Sequence, residues 1–367
     1  MKKNSNPIKS ICVSQVATFD MHCANNGEKT FGNQPSIKKM PNGAVYISGQ
    51  MLKRALIDSY RKNITLEKGE YLSEPDSTTN LDITNDVAAD LRGFMDPDNN
   101  QKRISPIATQ VARAINKNKV HETIMDLLTC FKRNSTNNSI VNREISVSDD
   151  ILFNFSIDAE RVGVTDDIFS ISQEDKTFER NYISHLEEAT RKKRIINTLK
   201  SMYYLNAFSN QGRNAVNGSP NKVIIVLDTI HSRKAFHFWE GSESVRQSIL
   251  AELDDRGVVY FIGDDSKVVS KKSAYEAYKQ ALDYLTDQCE FSQIYSEIMP
   301  AIAYWEKYSN SLNQEKEEQK EKKASKKTEQ QSVSISKSAK KAAEKKVLAK
   351  KTVKPTNQKK VLSKRKR

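Results

Sequence analysis

Apolar and polar residues alternate over positions 8–19, placing Ile11, Val13, Ala17 and Phe19 on one face, and this period of two predicts a first strand. The same signal predicts a short strand over Ala44–Ser48 and another over Ile151–Ile157, where Ile151, Phe153, Phe155 and Ile157 alternate. Continuous apolar runs at Lys222–Thr229 and Gly257–Ile262 predict buried strands. Helical spacing predicts helices over Gly49–Lys62, Pro106–Phe131 (Ile107, Val111, Ala114 and Ile115 on one face) and Arg191–Phe208 (Ile195, Leu199, Met202 and Asn206). Two more are predicted over Lys271–Leu285 and Ser292–Leu312, the second interrupted at Pro300. Polar, glycine- or proline-containing stretches separate these elements, and two of them, 64–104 and 132–150, read as inserted regions. Strands and helices alternate irregularly, which predicts an α+β fold rather than a doubly wound parallel sheet. No internal repeat is visible.

Charge divides the 367 residues into two parts. The net charge is +13, but the segment 315–367 alone holds 20 Lys+Arg against 6 Asp+Glu, leaving residues 1–314 close to neutral. The segment 315–367 is rich in Lys, Ser, Ala and Gln and lacks an apolar stripe, so it is expected to be a disordered basic tail beside a folded domain over 1–314. Such a tail acts as a nonspecific nucleic-acid arm or as a solubilising extension. Its last four residues, Lys364 to Arg367, have the composition of a nuclear-localisation cluster. No apolar run approaches the length of a membrane span, and Met1–Asn6 carries lysines without an apolar core, so neither a membrane segment nor a secretory signal is expected. Cys12, Cys23, Cys130 and Cys289 are far apart in sequence, which fits a reducing cytoplasm and neither a zinc knuckle nor a disulfide framework.

The helix predicted at 49–62 is the most informative segment. Met51, Leu52, Ala55, Leu56 and Ser59 share one face, while Gln50, Lys53, Arg54 and Arg61 share the other, with Ile57 the one apolar residue among them. Ser48 and Gly49 fall at the helix start, where free backbone N–H groups and the helix dipole favour an anion. A hydroxyl, a helix N-terminus and a basic stripe make a track for a phosphate backbone; they equally describe an N-capped amphipathic helix with a solvated face.

The run Val45-Tyr46-Ile47-Ser48-Gly49-Gln50-Met51-Leu52-Lys53-Arg54-Ala55, following Phe31-Gly32, resembles the N-terminal signature of the backbone subunits of type I CRISPR Cascade complexes, in particular the DevR-type autoregulator branch. Looser similarities are Arg103-Ile104-Ser105-Pro106, Arg161-Val162-Gly163, and a polar loop (209–221) before a Pro-x-Lys-Val-Ile-Ile-Val strand. The resemblance spans about residues 8–290. It implies a right-hand-shaped protein on a ferredoxin-like, RRM-like palm, with fingers and a thumb formed by the insertions. Copies of it would multimerise along a CRISPR RNA into a helical ribonucleoprotein that serves antiviral defence. The RNA would pair with target DNA while the protein holds its backbone, and other Cascade subunits would join the complex. Carried onto this chain, Ser48, Gln50, Lys53 and Arg54 would contact RNA phosphates. Lys38 and Lys39 would join them from the preceding loop, Gln211, Arg213 and Asn214 from the thumb, and Arg161 is a further candidate.

Catalytic signatures are sparse. There is no phosphate-binding Gly-x-x-x-x-Gly-Lys-Ser/Thr, Gly27-Glu28-Lys29-Thr30 lacking its glycine and its order; no Gly-x-Gly-x-x-Gly, Gly-x-Ser-x-Gly or His-Glu-x-x-His exists. No cofactor and no metal are therefore expected, and the acidic pairs Asp166-Asp167 and Asp264-Asp265 read as solvated loop residues. One enzymatic alternative follows from the resemblance. Relatives in type III complexes are metal-assisted endonucleases that cut target RNA with an aspartate after the first strand, and Asp20 and His22 lie in that region here. A third reading is an RNA-binding protein driven by the basic tail alone.

Overall fold

The computed structural model describes residues 6–24, 37–74, 80–96, 101–115, 121–126, 143–166, 181–208, 215–267 and 272–311. The expected tail 315–367 lies outside them. The chain divides into a unit of Met1–Trp305 and a second of Glu306–Arg367, of which 306–311 is described and helical.

The first unit begins with β1 (Ser10–His22), then β2 (Tyr46–Ile47), α1 (Gly49–Asn63) and α2 (Val87–Arg92). Short strands β3 (Phe94–Asp96), β4 (Gln101–Arg103), β5 (Ile107–Thr109), β6 (Ala112–Ala114) and β7 (His121–Asp126) precede the long β8 (Arg143–Asp158). After β9 (Val164–Asp166) and β10 (Tyr182–Ser184) come α3 (Glu188–Tyr203), β11 (Lys222–Asp228), α4 (Glu243–Asp255), β12 (Val259–Asp264), α5 (Ala274–Asp287) and β13 (Glu297–Ile298). The fold is α+β and is dominated by a wholly antiparallel sheet ordered β12-β11-β1-β8-β6-β2, with β5 and β7 also pairing β8. Read through its centre, the chain runs β1, α1, β5/β6, β8, α3, β11, and the spatial order of those strands is β11-β1-β8-β6.

β1 is buried on both faces, and its alternation sorts its side chains between two cores. Ile11, Val13, Ala17 and Phe19 join Phe153 and Phe155 of β8 beneath Leu52 and Leu56 of α1 and Leu199 of α3. Cys12 and Val16 face the other way, with Ile224 and Val226, onto Phe236, Trp239 and Ile249. The Trp239 indole N–H donates to the Ser14 carbonyl at 2.9 Å, so even its polar edge is satisfied inside the second core.

Several expectations change. Pro106–Phe131 is not helical where described: 107–109, 112–114 and 121–126 are strands. Ile107, Val111, Ala114 and Ile115 do recur at helical spacing, but β8 offers sixteen residues of backbone pairing, and Ile107 and Thr109 take it opposite Ile157 and Phe155. β-branched residues suit that pleated environment. The same strand absorbs the end of the expected 132–150 insertion, since 143–150 belong to β8 and pair with β7 and β1. The 64–104 region contains α2 and the β3–β4 pair. α2 is capped by Asp86, which accepts the Ala88 N–H at 2.9 Å, and closed by Gly93 at φ +72°, where any Cβ would lie 2.5 Å from the Arg103 carbonyl. Residues 292–300 are extended: Ser292 N–H donates to the Ile8 carbonyl, β13 pairs in parallel with β10, and a helix begins only after Pro300. α3 ends at Tyr203, so Asn206 is exposed beyond it. The helix α4 carries no strong apolar stripe, with Ile249 and Leu253 its buried residues, and the hydrophobic pattern did not reveal it.

Candidate nucleic-acid interface

The segment 37–47 is a turn of paired backbone that delivers the chain to α1. Tyr46 N–H donates to the Lys38 carbonyl at 3.1 Å, Met40 N–H to the Ala44 carbonyl at 2.8 Å, and Lys39 bridges Val45. β2 in turn pairs Tyr46 with Arg113 and Ile47 with Ala112, fixing this turn to the sheet. Lys38 and Lys39 therefore stand on the strand beside β2, within a few residues of the helix start, the first half-buried and the second exposed.

Ser48 is the N-cap of α1, and its Oγ accepts the Met51 N–H at 3.3 Å. Its hydroxyl proton remains able to donate. Gly49 is held against β5: Thr109 Oγ1 donates to the Gly49 carbonyl at 3.3 Å, and a Cβ at Gly49 would come within 2.7 Å of that oxygen. The glycine of the Ser-Gly-Gln run is thus a packing requirement. The first turn of α1 carries no acid, so nothing on the helix offsets the positive end of its dipole.

The basic face expected from spacing divides into two halves. In the C-terminal half, Arg61 pairs with Asp58 at 3.5 Å and Glu74 at 3.2 Å, and Lys62, next to it in the chain, also pairs with Asp58, at 2.8 Å. In the N-terminal half, Gln50 and Arg54 are exposed and Lys53 is half-buried; none of the three has a hydrogen bond or ion pair among the described residues. Burial pushes the Lys53 ammonium below the usual lysine range, a cost that a bound anion would relieve. Ile57, the apolar exception on this face, is buried in the core.

Arg161 stands apart from this group. It pairs with Asp166 through two nitrogens, at 2.7 and 3.1 Å, and its guanidinium lies 5.0 Å from the centre of the Tyr182 ring. Burial opposes its charge, but the pairing with Asp166 lifts its pKa above the ordinary arginine value. Gln211, Arg213 and Asn214 lie outside the described residues. The flanks of their loop are fixed, because Gly218 N–H donates to the Leu205 carbonyl at 2.8 Å, while Phe208 packs 5.1 Å from Phe19 and Val216 is buried.

At the end of β1 the register slips between Phe19 and His22, and Met21 adopts φ +47°. Asp20 is exposed there. His22 is 1 % exposed; its Nδ1 accepts the Ala24 N–H at 3.3 Å and burial pushes its pKa down to about 4. The acidic residues once set aside as solvated have structural duties: Asp166 holds Arg161, Asp264 accepts from Ser266, and Asp265 accepts the Ala274 N–H at the start of α5. Asp167 lies outside the described residues. One acidic and histidine cluster had no signal in the sequence. Asp158, Glu160 and His231 bring a ligand atom each within 4.8 Å of one another. Glu160 there already accepts from Ser292 at 2.5 Å and contacts His231 at 2.8 Å and Lys9 at 3.7 Å, so a hydroxyl, an imidazole and a lysine satisfy it.

No helix among the described residues is long and apolar enough to cross a membrane. No protein-family model matches the chain, and no curated protein matches it. Among solved structures, a chain of a "CRISPR RNA-guided surveillance complex" is similar with a TM-score of 0.41 and 10% identity over 75% of this chain and 98% of that one. A chain of a "CRISPR RNA-guided surveillance complex, pre-nicking" is similar with a TM-score of 0.42 and 9% identity, over 82% and 99% respectively.

Proposed function

We propose that this chain is a non-catalytic, CRISPR RNA-binding backbone subunit of a type I Cascade surveillance complex, of the DevR type. One observation carries the reading. The residues of the Ser48–Ala55 run that resemble the family signature include an amide and two cations, Gln50, Lys53 and Arg54, that have no partner among the described residues and stand beside an N-terminus of α1 whose first turn carries no acid. A phosphate backbone supplies the charge that this site lacks. Ser48 fits the same site through its free donor, and Lys38 and Lys39 extend it along the neighbouring strand. In this reading the order β11-β1-β8-β6 with α1 and α3 between strands is a ferredoxin-like palm. The loop after Phe208 is the thumb, copies of the chain assemble along the RNA beside other subunits, and target DNA is read by pairing with the guide. The setting is cytoplasmic. The basic tail 315–367 adds salt-sensitive affinity without choosing the site.

Binding without cleavage is part of this proposal. His22 is enclosed and burial pushes its pKa down, which argues against an imidazole acting there. The exposed Asp20 is what a metal-assisted cleavage reading would rest on, so intact target RNA in the presence of divalent metal is the expected outcome.

The test uses the full chain. Wild type, mixed with CRISPR RNA, is expected to form multimers whose size grows with guide length. The triple variant Gln50→Ala/Lys53→Ala/Arg54→Ala is expected to bind at least tenfold more weakly. Unchanged affinity of the triple variant, with all binding lost at elevated salt, would assign RNA binding to the tail instead.

A further inference from the structure

Between the C-terminal end of α3 and the start of α5 lies a surface notch of about 120 Å³ with tyrosine walls. Tyr203 is its centre. Its ring meets those of Tyr204, Tyr275 and Tyr278 edge-on, at centroid separations of 4.9, 5.8 and 5.2 Å. Tyr278 forms the floor: it is 2 % exposed, its hydroxyl donates to Gln15 Oε1, and Gln15 Nε2 donates to the Met202 carbonyl at 3.0 Å. That bond couples the aromatic floor to β1 and to the backbone of α3, so the notch is pre-formed. The outer walls are open, Tyr275 being 56 % exposed and Tyr204 36 %.

Size and charge choose the guest. The volume is well below the roughly 300–1,000 Å³ that takes a drug-sized molecule, and suits one planar ring. Aromatic walls alone would also accept a cation over their faces. Two exposed lysines, Lys200 and Lys279, line the rim, and neither has an ion-pair partner among the described residues. Against them stands one acid, Asp283. A cationic guest would meet a net positive rim; a planar ring carrying a phosphate would find both rings and lysines in place. Aromatic faces beside basic side chains are how unpaired bases are held without sequence preference.

We infer that the Tyr203–Tyr275 notch binds an unpaired nucleotide of a single-stranded nucleic acid, with its base against the tyrosines and its phosphate at Lys200 and Lys279. The inference concerns a different surface from α1 and does not depend on the reading of that helix.

A base-bearing oligonucleotide and an abasic phosphodiester of the same length separate the two surfaces. Full-length protein is titrated with fluorescently labelled 12-mers of RNA, of DNA and of the abasic backbone. Wild type is expected to prefer the base-bearing strands by about five- to hundredfold, the range of base–aromatic stacking, and the RNA and DNA arms show which sugar is preferred. Tyr275→Ala/Lys279→Ala removes two exposed side chains, and an unchanged thermal transition checks that it folds; it is expected to bind all three strands alike. Lys53→Ala/Arg54→Ala should keep the preference for bases, whatever it does to total affinity, and loss of that preference in this variant would place the base-binding surface on α1 and overturn the inference. A Tyr275→Ala/Lys279→Ala protein that kept the wild-type preference would overturn the inference. So would saturation of the notch by tetramethylammonium, seen as tyrosine fluorescence change lost in the same variant.

Discussion

Two sets of basic residues in this protein meet opposite fates. On α3, Arg191 and Arg194 point inward and are fully enclosed. Arg194 donates to Asp90 and to the carbonyls of Ile83 and Thr84 at 2.9 Å each, and to Glu70 at 2.8 Å. Arg103 reaches the same carboxylate and the carbonyls of Val164 and Arg161, and Gly163 N–H donates to Asp90 at 3.0 Å. Burial alone would raise the Asp90 pKa, but the two guanidiniums hold it below the usual carboxylate range. On the first turns of α1, by contrast, Lys53 and Arg54 have no carboxylate partner among the described residues. The difference teaches that the number of cations on a helix says little about its role. What matters is whether the fold has brought acids to them. The first set joins α2, α3, β4 and the turn before β9 into one body; the second is left with charge to offer.

The comparison can be broken most forcefully at Asp90. Asp90→Ala leaves buried Arg103 without a carboxylate and Arg194 with Glu70 alone, and is expected to lower stability by about 3–5 kcal/mol, read as a reduced denaturation midpoint with an unchanged slope. Acid is the next lever, because the protein also encloses two imidazoles, one of them, His185, beside the Asp90 group. His22 and His185 are both buried with pKa values pushed down to about 4, so the folded protein refuses protons that the unfolded chain accepts near pH 6.5. Their contribution is complete above pH 6.5 and is lost as pH falls toward 4. Together they should cost roughly 2 kcal/mol between pH 6.5 and 5.5, and a His185→Gln variant should show a shallower fall in urea titrations across that window. Ser48→Ala removes a cap and should cost about 1 kcal/mol, seen as a small drop in thermal midpoint. The smallest change in stability is expected at the open set: Lys53→Ala/Arg54→Ala should stay within about 0.5 kcal/mol of wild type while RNA binding falls. A large loss of stability in that variant would erase the distinction between the two sets.

Local features were legible in the sequence and long-range ones were not. α1, its cap and its two faces depend on neighbours three and four residues apart, so periodicity alone placed Ser48, Gln50, Lys53 and Arg54 as the structure has them. Spacing places Arg61 on the same basic face but does not show that it is paired, because one of its partners, Glu74, lies in a stretch that reads as a loop. Arg161 and Arg194 look alike in sequence, yet their carboxylates are five and 104 residues away, and only chain topology brings the second pair together. β5 and β6 were read as helix because a period of 3.6 fits Ile107, Val111 and Ala114; the strand that overrides it, β8, lies some forty residues on. The tyrosine notch draws on two helices about seventy residues apart, and no spacing rule could have joined them.

The short bond between Gly218 and Leu205 has a consequence for how this protein can vary. It fixes the two ends of the 209–214 excursion side by side, with Phe208 and Val216 seated in the core on either flank. Doubling the length of a flexible loop between fixed ends adds only about 0.6 kcal/mol of closure entropy. A peptide tag inserted between Phe208 and Ala215 is therefore expected to leave the fold intact at a cost of closure entropy alone.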